Sequence, residues 1–179
     1  MIIGLVGHAG VGKDTLADYL VEHHGYVKYS MSSPIKHLLN QRYGWTDDNW
    51  HDRDWKERPN VRAGMAPDGS YYSPRQMAQW LGTEAGRLTH GHDCWIKHAL
   101  DMFCMSDVKR FVIPDIRFAN ESRMVKSAGG VTARILRDVP RVNPHSSELL
   151  DFETDLYLTN SGPVDEFCQN AVKAICAYE

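Results

Sequence analysis

The stretch Gly7-His8-Ala9-Gly10-Val11-Gly12-Lys13-Asp14-Thr15 follows a short apolar run, Met1 to Val6, and precedes a segment in which Leu16, Ala17, Leu20 and Val21 share one helical face. Strand, glycine-rich turn and helix in that order let backbone N–H groups turn inward around a phosphate, aided by the partial positive charge of the helix start. Gly10, Val11 and Gly12 are expected to supply those amides, and Lys13 a mobile full charge for the outer phosphates. A serine or threonine usually follows such a lysine; here Asp14 stands there and Thr15 comes one later. Thr15 is therefore the hydroxyl expected to approach a magnesium ion, largely through water, with Asp14 facing a neighbouring substrate. The alternative is a glycine-rich turn with no ligand, and the two spaced glycines, the lysine and both flanks weigh against it.

A chain of 179 residues, 42% hydrophobic and 24% charged, reads as one domain with its own core. Its net charge of −3 gives no electrostatic reason for stable nucleic-acid binding. Cys94, Cys104, Cys168 and Cys176 have no paired ligand spacing, which fits a reducing compartment. No apolar run approaches the roughly 18 residues of a membrane span, and the N-terminus has neither a signal nor a transit pattern. A soluble cytoplasmic protein with no membrane partner is expected.

Residues 26–30 read as a second strand. Ser33 as N-cap and Pro34 in the first turn then open a helix. Lys36 lies in that turn, either solvated or touching a phosphate or base. Residues 43–72 carry Trp45, Trp50 and Trp55 among charges, with Pro59, Gly64, Pro67 and Gly69, and no steady period. They read as an insertion of short helices and loops. Aromatics among bases suit single-stranded nucleic acid, but the acids here match the bases, which favours a mobile substrate-covering subdomain. Ser73, Pro74 and Gln76 form a capping-box start. On a wheel of roughly 100° per residue, Met77, Trp80, Leu81 and Ala85 fall on one arc. Arg75, Gln79, Gly82, Thr83 and Gly86 fall on the other. Bare backbone beside Arg, Gln and Thr suits a flat polar ligand, or else tight packing of helix on helix. His90, His92 and Cys94 lack the second half of a metal site, and Trp95 is either core or a stacking surface.

Residues 109–117 form a basic lead into an apolar strand that ends at Asp115. An acid at the tip of such a strand, opposite the phosphate loop, holds a magnesium shell or orients a nucleophile. Arg117 and Glu121 lie close by, and a structural Asp–Arg pair is the alternative. A helix capped by Asn120 and ended by Gly129 follows, then a strand over residues 130–137. Arg137 and Arg141 either clamp transferring phosphates or are ordinary surface arginines. Residues 155–160 read as the fifth strand, and Gly162 and Pro163 open a last helix with a stripe of Val164, Phe167, Ala171, Val172 and Ile175.

Five strands alternating with helices, with a P-loop after the first and an acid after the third, predict an α/β fold with a five-stranded parallel sheet, right-handed crossovers and ligands at the strands' C-terminal ends. An inserted helical substrate-binding segment is expected over residues 31–104 and a short lid over 137–150, within a single domain of residues 1–179. The motifs Gly12-Lys13-Asp14-Thr15, Ser33-Pro34-x-Lys36, Pro74-Arg75 to Gly82-Thr83-Glu84-x-Gly86-Arg87, Asp115-x-Arg117-Phe118-x-Asn120-Glu121 and His145-x-Ser147-Glu148 resemble the deoxynucleoside monophosphate kinases of tailed bacteriophages. The likeness keeps its order along nearly the whole chain, residues 43–72 excepted.

The resemblance implies a three-layer α/β/α P-loop kinase fold and transfer of the γ-phosphoryl group of ATP to a deoxynucleoside monophosphate, with magnesium, in the host cytoplasm if the chain is phage-encoded. It implies that Gly10 to Thr15, joined by Arg137, hold ATP. Asp14, Lys36, Arg75, Gln79, Gly82, Thr83, Arg87, Trp95, Asp115, Arg117 and Glu121 would hold the monophosphate. Lys13, Asp115 and Arg117 would be the catalytic groups, Thr15 and Asp115 the metal contacts, and a homodimer is what the family suggests. Where Gln76 stands beside Arg75, a second basic residue would be natural in the family, which puts more weight on Arg75 and Arg87. The rivals are another small-molecule P-loop kinase, resembling dephospho-coenzyme A kinase, and a non-enzymatic nucleotide switch. Against the switch, there is no guanine-reading Asn-Lys-x-Asp sequence.

Overall fold

The computed structural model describes residues 1–138 and 149–178. Most of the expected lid, with Arg141 and the 145–148 motif, lies outside the described residues. Five parallel strands form one sheet: β1 (Ile2–Val6), β2 (Val27–Lys28), β3 (Phe111–Ile116), β4 (Val131–Leu136) and β5 (Leu156–Thr159), in the order β2-β3-β1-β4-β5. The strand expected over 26–30 keeps only two ladder residues, both exposed.

Alternation along the strands separates two apolar layers. Ile3, Leu5, Val112 and Ala133 face α1 (Lys13–His24) and α8 (Val164–Tyr178), meeting Leu16, Leu20, Phe167, Ala171 and Ile175. Ile2, Val6, Phe111 and Ile113 face the other way, meeting Ile96 and Ala99 of α6 (Cys94–Met105) and Met124 and Val125 of α7 (Ala119–Ser127). This is the three-layer α/β/α arrangement, and the stripe of α8 is core as its spacing requires. Gly25, at φ 66°, closes α1 with its N–H on the Leu20 carbonyl.

The chain divides into two compact units: residues 1–31 with 95–179, which hold the sheet, and residues 32–94. Trp95 to Met105 of α6 thus belong to the sheet unit, although the insertion was expected to run to residue 104.

The 32–94 unit contains α2 (Ser33–Tyr43), α3 (Arg53–Glu57), α4 (Pro74–Gln79), a π-helical stretch over Trp80–Arg87 and a last turn, α5 (Leu88–His90). Short 3-10 turns at Asp48–His51 and Val61–Ala63 complete the insertion as short helices and loops. Its interior is aromatic. Trp45 and Trp50 are buried, and the rings of Trp45, Trp50 and Trp55 meet edge to face at centroid distances of 5.2 to 5.8 Å. Tyr43 stacks on Trp45 at 4.8 Å. The tryptophans therefore pack with one another.

Two N-caps differ from expectation by a residue or two. α2 is preceded by Ser32, without a side-chain cap, so Ser33 is already helical. α7 begins after Phe118, and Asn120 lies inside it: the Glu121 carboxylate reaches back to the N–H groups of Arg117 and Phe118, at 2.7 and 3.1 Å, and does the capping. The capping box of Ser73 and Gln76 is present in both directions.

The larger departure is the helix after Ser73. The α-helical wheel puts Trp80 on the apolar arc and Gly82 with Gly86 on the opposite one, which suits either a flat ligand or a neighbouring helix. In the structure Trp80 is 55% exposed, whereas Gly82, Gly86 and Arg87 are buried. Gly82 is buried because it packs against Ile35 of α2, and the stretch from Trp80 on is π-helical, so the side chains after it drift from their α-helical positions.

Candidate active site

In the sheet unit, the turn from β1 into α1 is the candidate phosphate-binding loop. Gly12 takes the N-cap position of α1 at φ 105°, a left-handed conformation that a side chain would strain. Lys13 is buried, and its ammonium donates to the carbonyls of Gly7 and His8, both at 2.7 Å. The cation is thus held over the loop's own backbone, where an anion would meet it. Thr15 is exposed in the first turn of α1. Magnesium takes one or two protein ligands beside phosphate oxygens and water, and the Thr15 hydroxyl fits that role.

Asp14 is exposed and forms an ion pair with Lys28 of β2 at 3.0 Å; Asp18 joins at 2.9 Å. Burial pulls the Lys28 pKa down, but the two carboxylates outweigh it and hold the pKa above its ordinary value. Lys28 therefore remains charged and balances an acid that would otherwise repel an anion at the loop. No sequence motif marked Lys28.

Asp115 lies on β3, as its place at the strand tip requires. Its carboxylate accepts from the Ser30 hydroxyl at 2.6 Å and the Met31 N–H at 2.9 Å, which anchors the chain leaving β2. Beside it the Tyr29 hydroxyl is buried with no hydrogen-bond partner among the described residues. Burial first, then the Asp115 charge, push its pKa up to about 12. Arg117 and Glu121 meet through the capping bond described above, and Glu121 is buried. Trp95 is half-buried on α6.

A cleft of about 670 Å³ opens beside the loop, lined by Gly7, His8 and Val11 from the loop, Arg134 and Arg137 from the β4 side, and Thr159 and Asn160 from the end of β5. Arg137 is exposed there. Arg134 was not singled out by sequence; it donates to the carbonyls of Leu150, at 2.9 Å, and Phe152. The available signal for Thr159 and Asn160 was their position, since α/β sheets place ligands at the C-terminal ends of strands.

The 32–94 unit carries the other expected residues. Arg75 and Gln79 lie on α4, Gly82, Thr83 and Arg87 on the π-helical stretch, and Lys36 on α2. Arg75 pairs with Glu57 at 2.5 Å and keeps its side chain 26% exposed. Arg87 is buried and donates to the His92 carbonyl at 2.6 Å, which ties the end of the helix to the following turn. Gly82 faces Ile35, whose Cδ1 would lie 2.8 Å from a Cβ placed on the glycine. Helix-on-helix packing accounts for that glycine. Lys36 has its ammonium over the Trp50 ring at 5.9 Å.

A glycine-rich loop between the first strand and first helix of a five-stranded parallel sheet gives the chain the α/β fold of the P-loop kinases. Dephospho-CoA kinase from Campylobacter jejuni shares the fold with a TM-score of 0.53 at 12% identity, over 97% of this chain and 94% of that one. Shikimate kinase from Aquifex aeolicus does so with a TM-score of 0.51 at 15% identity, over 99% and 98%. Within that class the chain resembles the deoxynucleotide monophosphate kinases. The family described as deoxynucleotide monophosphate kinase matches residues 1–58. A protein of Acanthamoeba polyphaga mimivirus, provisionally described as a deoxynucleotide monophosphate kinase, is 26% identical over 98% of this chain and 96% of its own length. The deoxynucleoside-5'-monophosphate kinase of Escherichia phage T5 is 24% identical over 70% and 72%.

Proposed function

We propose that the chain transfers the γ-phosphoryl group of ATP to deoxynucleoside 5'-monophosphates, giving ADP and the diphosphate. The observation that carries the reading is the Lys13 ammonium, buried on the loop carbonyls where phosphate charge would develop. The likeness to the mimivirus and phage T5 proteins supports the choice of acceptor.

The acceptor is already an ionised phosphate, so the protein's share of the chemistry is positioning and charge neutralisation. The amides of Gly10 to Gly12 and the Lys13 ammonium hold the donor phosphates, Thr15 meets the magnesium ion, and Arg137 lies on the donor side of the reading. A magnesium ion held with the help of the Thr15 hydroxyl would supply positive charge to offset that of the phosphates. Arg75, in the 32–94 unit, is the guanidinium assigned to the acceptor phosphate, which would displace Glu57 as its partner. Gln79, Thr83 and Lys36 are assigned to the remainder of the acceptor, as are Asp115 and Arg117. The unit of residues 32–94 is read as the acceptor-binding part of the kinase, in the host cytoplasm if the chain is of phage origin.

The test is ADP release from ATP and magnesium with each of dAMP, dCMP, dGMP and dTMP, their ribose counterparts and dephospho-coenzyme A. Release that depends on a deoxynucleotide is expected, and the ranking gives base choice. Release with dephospho-coenzyme A alone would move the chain to the other small-molecule kinases.

A further inference from the structure

Asn160 follows β5 immediately. Its backbone N–H continues the ladder, donating to the Leu136 carbonyl at 2.8 Å. Its side chain turns the other way, toward the phosphate-binding loop, and Nδ2 donates to the Val11 carbonyl at 2.8 Å. The residue is only 7% exposed. The fit is close: a Cβ on Gly12 would lie 2.6 Å from Asn160 Nδ2 and 3.6 Å from Phe167 Cε1. Gly12 is thus required twice, by its backbone angle and by the amide packed beneath it.

The C=O and N–H of a trans peptide point in opposite directions. Drawing the Val11 carbonyl onto Asn160 therefore turns the Gly12 N–H away from the core. Without that bond, the peptide is flanked by a glycine that tolerates many orientations, and phosphate binding would have to order it.

We propose that Asn160 is a positioning residue of the donor site: its carboxamide fixes the Val11–Gly12 peptide so that the Gly12 N–H is presented to phosphate before the ligand arrives. The inference rests on the reading above only in that the loop holds phosphates. Asn160 touches the loop and not the reacting atoms.

The experiment is calorimetric titration of the full chain with ATP and, separately, with inorganic tripolyphosphate, which has no base or sugar. Asn160→Leu keeps the volume and removes the donor; Asn160→Ala removes both. Each variant is expected to bind both ligands roughly tenfold more weakly, and to raise the KM for ATP far more than that for the acceptor. Weaker ATP binding with unchanged tripolyphosphate binding would make Asn160 a contact to the base and overturn the proposal. Unchanged affinity for both ligands, or equal rises in both KM values, would overturn it as well. If the alanine variant fails to fold, the leucine variant carries the test. Wild-type chain that binds tripolyphosphate yet phosphorylates no deoxynucleoside monophosphate would remove the proposed acceptor. The role of Asn160 would then still be tested by the tripolyphosphate arm.

Discussion

Replacing Lys13 with alanine removes a buried cation that lies on the loop carbonyls of Gly7 and His8. Turnover is expected to fall at least about a hundredfold, in line with the loss of a preorganised donor to developing charge, while the circular dichroism spectrum is unchanged. Near-normal turnover would place the transferred phosphate elsewhere. A second residue carries a prediction about pH. Burial works to raise the Asp155 carboxyl, but Lys126 at 2.8 Å and the N–H and hydroxyl of Thr132 outweigh it and hold the pKa below the ordinary value. A lowered folded-state pKa gives stability that is present above the unfolded carboxylate's pKa and is lost as pH falls through the folded one. Asp155→Asn should therefore cost about 1–2 kcal/mol near neutral pH, and the deficit should shrink below about pH 4. Urea unfolding of both proteins between pH 7 and 3 measures it; a deficit constant over that range would show that the charge is not what Asp155 contributes.

At the scale of elements, the π-helical stretch and its glycines set the next prediction. Gly82→Val puts two extra methyl groups against Ile35, where even a Cβ would approach Cδ1 to 2.8 Å. The variant should lose about 1–3 kcal/mol, read as a lower urea midpoint, and Gly82→Ala should lose less because Ile35 Cδ1 is the far end of a flexible side chain. Equal stability of the valine variant would mean that α2 and the π-helical stretch separate freely. The same element marks where sequence reading ran out. The unbroken apolar run of Met1 to Val6 and the stripe of α8 made the first strand and its covering helix legible, because a central parallel strand is buried on both faces and a covering helix buries one stripe. The wheel did set Gly82 and Gly86 opposite Trp80, but whether that arc met a ligand or a helix was not legible, because Ile35 meets Gly82 only through the fold, and nothing in Trp80–Arg87 announces i→i+5 bonding. Within the site, the loop was legible because its glycines and lysine are contiguous. Lys28 and Asn160 were not: each meets the loop only through the fold, Asn160 across 149 residues.

For the whole molecule, the two units have interiors of different kinds, aliphatic around the sheet and aromatic in residues 32–94. Trp50 is buried in the second and donates through Nε1 to Asn40 at 2.8 Å. Trp50→Ala should cost about 3–5 kcal/mol by cavity formation. Hydrogen exchange should then quicken through residues 32–94 while the amides of β1, β3 and β4 keep their protection; uniform acceleration would mean that the units unfold as one. The strand order has a consequence for synthesis on the ribosome. β1 is made first yet lies at the centre of the sheet, where Ile2 pairs with Phe111 and Ile3 with Val131. The strand that leads into the phosphate loop therefore leaves the exit tunnel with both edges bare and the whole 32–94 unit still to come. That unit closes largely on near neighbours in sequence and is free to fold first, while the sheet waits for distant partners, the slow kind of closure. For that interval the nascent chain displays an apolar strand with unpaired amides, which is the form chaperones recognise and aggregation exploits.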